Sequence, residues 1–153
     1  QLERQPAQAG LRLTLRGTLA CMKTLPLRLF PGDDLRGALD AALAATGAQA
    51  AFVVSGIGSL REARLRLAGR DAPRHLAGDL EILTLAGTLG PDGSHLHASL
   101  ADADGHVVGG HVAPGCIVRT TAEILLALLD DVRFAREPDG ATGYAELAIR
   151  PRT

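Results

Sequence analysis

Aromatic residues make up only 3% of the chain, and tryptophan is absent. A surface that stacks single-stranded bases on aromatic rings is therefore excluded, and the core has to come from Leu, Ala, Val and Ile. A dominant charge is also lacking. Lys+Arg 16 against Asp+Glu 17 leaves a net −1, and Lys23 is the only lysine. Generic nucleic-acid coats and polybasic membrane modules need a net basic surface, which this chain does not carry. Its two cysteines, Cys21 and Cys116, stand far apart with no C-x-x-C spacing, which removes both a disulfide framework and a zinc ribbon. The longest apolar runs, 50–54 and 124–129, fall far short of the about 20 residues a membrane-crossing helix needs. Residues 1–10 lack the charged-then-apolar order of a secretion signal, so a reducing cytoplasm and no membrane partner are expected. The chain starts without Met and reads as a fragment. No Gly-x-Gly-x-x-Gly follows a strand pattern, no Gly-Lys-Ser/Thr loop occurs, and Ser55-Gly-Ile-Gly-Ser59 lacks the Gly-x-Ser-x-Gly order. Nucleotide-binding folds and serine hydrolases thus have no support.

What is present is ordinary globular material: 153 residues, 46% hydrophobic and 22% charged, enough for one domain with a real core. Residues 1–24 read as an N-terminal tail or, over 11–19, an added edge strand, since Leu11, Leu13 and Leu15 alternate with polar residues. The domain proper is expected at 25–150, followed by a short tail at 151–153. Residues 25–30 alternate and end in Pro31-Gly32. Asp33 then stands where an N-cap belongs, with Asp34 in the first turn. Leu35, Ala38, Leu39, Ala42 and Leu43 recur at helical spacing before Gly47. Residues 50–57 predict a central strand bounded by glycines, and 60–67 a second strand with one wet face. Residues 80–89 predict another strand, 94–101 and 106–112 a hairpin, and 133–136 and 143–149 closing strands. Residues 117–129 remain open between helix and strand. Strands in hairpin order with one clear helix predict an α+β fold with a largely antiparallel sheet.

Four of the five histidines fall in the predicted hairpin, and three of them, His95, His97 and His111, form one constellation. His95 and His97 are two apart, so on a strand both rings leave one face. A three-residue loop, Ala103-Asp104-Gly105 with Gly105 left-handed, sets His97 opposite His111 and brings all three rings together. A two-residue turn would instead send His111 to the other face. Three neutral imidazoles suit Zn²⁺ or another divalent ion and leave a coordination position open. The other reading is that these are ordinary strand histidines with solvated or hydrogen-bonded rings. Glu81 and Glu123 lie within apolar runs; each is either salt-bridged to an arginine or an accessory to a metal. Cys116 reads as a buried inert thiol before it reads as a ligand or nucleophile, and His75 and His106 as solvated turn residues.

The chain resembles the plant and prokaryote conserved (PPC) domain. The matching text is Arg28-Leu-Phe-Pro-Gly-Asp-Asp-Leu35, Val54-Ser-Gly-Ile-Gly-Ser-Leu60, Gly78-Asp-Leu-Glu-Ile-Leu-Thr-Leu-Ala-Gly-Thr88 and His95-Leu-His-Ala-Ser-Leu-Ala-Asp102. Gly105-His-Val-Val-Gly-Gly-His111, Thr120-Thr-Ala-Glu-Ile124 and Thr142-Gly143 follow in order. The resemblance implies an antiparallel sheet flanked by helices and a homotrimer. It also brings a DNA-binding label, inherited from plant members that carry Arg-Gly-Arg-Pro hooks. Here Arg16-Gly17 is followed by Thr18-Leu19, so the hook is missing, and binding to duplex DNA is expected to stay within the non-specific range of about 10⁻⁴–10⁻⁶ M. Prokaryotic members similar to this chain share the His-x-His and Gly-Gly-His pattern, which His95, His97 and His111 match. Two functions follow: a trimeric metal-binding module without enzymatic activity, or a metal-dependent hydrolase or lyase acting on a small molecule.

Overall fold

Gly58, which in sequence bounds the strand expected over 50–57, lies inside a single strand of the computed structural model, which describes residues 22–152. A Cβ on Gly58 would sit 2.4 Å from the Thr121 carbonyl oxygen and 2.6 Å from the Ala122 Cα. The missing side chain lets two backbones approach and does not end the strand. The elements in order are β1 (Lys23–Leu29), α1 (Leu35–Thr46), β2 (Ala51–Arg66), β3 (Arg74–Leu89), β4 (His95–Ala101), β5 (Val107–Val112), β6 (Ile117–Leu128), β7 (Val132–Pro138) and β8 (Ala145–Pro151).

Six strands form an antiparallel sheet in the order β1-β6-β2-β3-β4-β5. β2 is long enough to pair with β3 and β6 along most of its length and with β5 at its end, through Leu65↔Val112 and Arg66↔His111. Register shifts between Leu60 and Glu62 add local twist, and the β2–β5 contact closes β2, β3, β4 and β5 into a ring. Alternate side chains of these strands are fully buried, among them Leu60, Leu65, Leu96, Leu100 and Val112, and Val118 of β6 is buried beside Leu60. The ambiguous run at 117–129 is strand β6, held between β1 and β2, where neighbours on both sides satisfy its backbone.

Helix α1 buries Leu35, Leu39 and Leu43, spaced four apart on one face. Its N-cap is Asp34, not Asp33. The Asp34 Oδ1 accepts from Gly37 N–H at 2.8 Å, and its Oδ2 accepts from Gly115 N–H at 2.5 Å. Asp33 instead closes the preceding turn, accepting from Phe30 N–H at 2.8 Å. Asp34→Ala is therefore expected to cost about 2 kcal/mol, a lost cap of about 1 plus an unsatisfied N–H. Urea denaturation checks this, and Asp33→Ala should cost less.

Among the described residues α1 is the only helix, so the expected sheet flanked by helices is corrected to a mostly antiparallel sheet with one helix. The closing strands at the C-terminal end form a separate two-stranded sheet, β7-β8. It is anchored by Arg136 N–H donating to Asp92 Oδ2 at 3.0 Å and by the Phe134 ring packed edge-on to Phe52 at 5.4 Å. The paired region starts at Lys23 and reaches Pro151, slightly wider than 25–150. The strand expected over 11–19 lies outside the described residues.

Candidate metal centre

The site begins in the loop between β4 and β5. Asp102 N–H donates to His106 O at 3.0 Å, Gly105 N–H donates to Asp102 O at 3.0 Å, and Gly105 has φ 83. The Asp102 carboxylate accepts from His106 N–H at 2.8 Å and from Asp104 N–H at 3.0 Å. These backbone donors, His106 foremost, hold its carboxyl below the usual range. The loop sets the register Ala101↔Val107, and counting back along the ladder puts His97 opposite His111. Asp102, Asp104 and His106 also come together here, but their contacts are those that shape the turn.

On β4, Leu96, Ala98 and Leu100 turn to the core, so His95 and His97 leave by the opposite face. One cross-strand row runs Arg66, His111, His97, Ala86, and the adjacent pairing sets His95 opposite Thr88. Directly opposed residues share a face, so Arg66 stands beside the three rings. The Nε2 atoms of His95 and His97 lie 3.1 Å apart, and one ring nitrogen from each of the three histidines lies within 4.8 Å of the others. Ring centroids are 4.9, 5.0 and 5.7 Å apart.

The electrostatics favour the neutral, ligand-competent form. Burial first, then His95, Arg66 and His97, hold His111 down to about 4. Burial, followed by Arg136 and His97, also lowers His95. The His111 Nδ1 is buried without a hydrogen-bond partner. An orphaned nitrogen beside two further imidazoles fits a Lewis-acid ion, which takes a lone pair where no proton donor is available. The lowered values also set a stability window for the metal-free protein. Between the ordinary His value of 6.5 and about 4, the unfolded chain binds a proton that folded His111 refuses. The contribution of His111 to stability is therefore complete above about pH 6.5 and is lost as the pH falls toward 4. Urea midpoints across that range should show the slope, and His111→Leu should flatten it.

The histidines open onto a cavity of about 490 Å³. Its other walls bring Arg36 from α1, Asp92, Gly93 and Ser94 from the β3–β4 turn, Arg136 and Glu146 from β7 and β8, and Tyr144 from the turn between them. Arg136 is held there by donating to Thr88 Oγ1 at 2.9 Å. Sequence marks none of these wall residues as part of a site: Arg66 reads only as part of a wet strand face, Asp92–Ser94 only as the turn before His95, and Arg36, Arg136, Tyr144 and Glu146 lie far along the chain. Glu81 and Glu123 are exposed and line no part of this cavity. Glu81 pairs with Ser59 and Ala101, and Glu123 lies between Arg28 and Ile57. Within one chain their strands carry both glutamates away from the three histidines, and the carboxylates at the cavity are Asp92 and Glu146. Cys116 is fully buried against Arg64 and Ala113, and burial raises its thiol pKa. His75 meets Glu62 at 3.2 Å, and His106 stays at the turn beside Asp102.

Residues 16–130 match the Plants and Prokaryotes Conserved (PCC) domain. Over 130 residues the chain is 52% identical to the bifunctional protein GlmU of Synechococcus sp. (strain JA-2-3B'a(2-13)), covering 85% of this chain and 21% of that protein. The GlmU of Synechococcus sp. (strain JA-3-3Ab) is 51% identical over 128 residues, at 84% and 21%. The chain thus spans about a fifth of the length of these curated relatives. A hypothetical protein from Salmonella enterica superposes with a TM-score of 0.84 at 38% identity, over 89% of this chain and 99% of its own. A metal-containing protein from Archaeoglobus fulgidus reaches 0.72 at 29% identity, over 82% and 93%. A plant- and prokaryote-conserved protein from Pyrococcus horikoshii reaches 0.68 at 27%, over 82% and 91%. With three quarters of its length inside the matched region, this chain belongs to the Plants and Prokaryotes Conserved (PCC) domain family.

Proposed function

We propose that this domain is a divalent-metal-binding module that holds Zn²⁺ through His95, His97 and His111 and works as a homotrimer. The observation that carries the metal reading is the convergence of three ring nitrogens within 4.8 Å, one ring having a buried nitrogen with no partner. A metal-containing relative at 29% identity supports it. Three protein ligands leave a position open, where the ion would act as a Lewis acid on whatever occupies it. The trimer is supported by the family resemblance and by apolar side chains left in solvent on β2 and β3. Val54, Ile57 and Leu83 are all exposed, and a neighbouring copy would cover them. A role on duplex DNA gains nothing from this site: its arginines line a recess, and the chain carries a net −1.

A second reading, a metal-dependent hydrolase or lyase, is favoured by one feature, the Glu146 carboxylate on the cavity wall. It would serve as a general base for an ion-activated water. Elemental analysis of purified protein should find one ion per chain, with anomalous scattering centred on the three histidines. Light scattering should return about three chain masses. No ion after Zn²⁺ loading, or a mass near 15.9 kDa, would remove the corresponding part of the proposal. Ion-dependent turnover of a small ester or phosphoester would favour the enzyme.

A further inference from the structure

We infer that the histidine cavity receives a small organic anion whose carboxylate or phosphate lies between the bound ion and the guanidiniums of Arg66 and Arg136. This rests on the metal reading above. Three guanidiniums, of Arg36, Arg66 and Arg136, line the recess against the two carboxylates of Asp92 and Glu146. Asp92 is already engaged by Arg136 N–H at 3.0 Å and by Arg133 at 3.7 Å. Arg36 is likewise occupied, by Asp40 at 4.0 Å and the Val112 carbonyl at 3.5 Å, which leaves Arg66 and Arg136 against Glu146, a net positive wall whose charge a divalent ion raises further. Arg66 stands opposite His111, and its side chain makes no hydrogen bond or ion pair among the described residues, so its planar fork is free for an oxyanion. Arg136 is steadied by its bond to Thr88, the residue opposite His95, and keeps further donors unspent.

An independent observation points to a missing ligand. Ser94 lines the same cavity, is 5% exposed, and its Oγ has no hydrogen-bond partner. A hydroxyl buried this deeply is normally bonded, and a ligand oxygen in the recess would satisfy it. The volume argues for a molecule larger than a bare inorganic ion. About 490 Å³ falls in the range of about 300–1,000 Å³ typical of small-molecule sites, against roughly 30 Å³ for one water. Tyr144 on the rim offers an aromatic face for the organic part.

The test uses the whole chain loaded with Co²⁺, whose visible bands report the ligands around the ion. Oxalate and orthophosphate are titrated separately at constant ionic strength. At least one is expected to change the bands saturably. Arg66→Gln and Arg136→Gln are each expected to raise the Kd of that anion at least tenfold without lowering Co²⁺ affinity. A response to oxalate alone identifies a carboxylate ligand, a response to phosphate alone a phosphorylated one, and a response to both a shared oxyanion subsite. Unchanged bands with both anions, or equal Kd values in wild type and both arginine variants, overturn the inference and leave the metal site standing. If Co²⁺ gives no bands, or His97→Ala leaves them unaltered, the metal reading itself fails, and the inference with it.

Discussion

His97→Ala is expected to weaken Zn²⁺ binding on the order of 10²–10³-fold while leaving the fold intact. Structural zinc sites gain about 10–16 kcal/mol from roughly four ligands, so one imidazole contributes about 2.5–4 kcal/mol, and each 1.4 kcal/mol is tenfold in affinity. His97 is the central member of the trio. It stands opposite His111 on β5, and its Nε2 lies 3.1 Å from that of His95. Removing it leaves two imidazoles that no longer enclose one point. Its side chain is exposed on the face away from the core, where neighbouring Leu96 and Ala98 do the packing, so truncation opens no internal cavity. His75→Ala and His106→Ala are the matched controls, because His75 meets Glu62 and His106 sits at the turn. Competition against a chromophoric chelator reads all three. A wild-type affinity in His97→Ala would mean that the ion sits elsewhere.

The second large effect is on stability. Gly87→Val is expected to cost more than about 4 kcal/mol or to abolish soluble expression. Gly87 has φ 146, where side chains are strained, and a Cβ there would lie 2.0 Å from the His95 carbonyl oxygen and 2.9 Å from the Leu96 Cα. Both neighbours are backbone, so no rotamer change relieves the clash, and β4 would have to move away from β3. That movement displaces His95 itself, so any protein that does fold should also bind metal poorly. Gly105→Ala separates conformational strain from collision. Its φ is 83 but nothing lies within 4 Å of the added carbon, and it should cost only about 1–2 kcal/mol. Urea denaturation compares the two, and a Gly87→Val cost no larger than that of Gly105→Ala would remove the steric account.

Features governed by neighbours a few residues apart could be read from the sequence alone. The four-residue spacing of Leu35, Leu39 and Leu43 makes the helix, because α-helical geometry returns to one face at that interval. The two-residue spacing of His95 and His97 puts both on one face of β4. The loop at 103–105 sets the parity of His111, since a hairpin register is determined by its turn. Even the error at Asp33 and Asp34 is local: both carboxylates accept backbone N–H groups, and the distant Gly115 N–H gives Asp34 a further bond. What the tertiary structure alone decided is everything that depends on distant pairing. The β2–β5 contact that brings Arg66 beside His111 joins strands far apart in sequence. The β7–β8 hairpin that delivers Arg136, Tyr144 and Glu146 to the cavity is anchored by Asp92 and Phe52, not by its own chain neighbours. Glu81 and Glu123 looked eligible because the type of a residue is visible in sequence, whereas its position relative to another strand depends on which pairings bury the most apolar surface across the whole sheet.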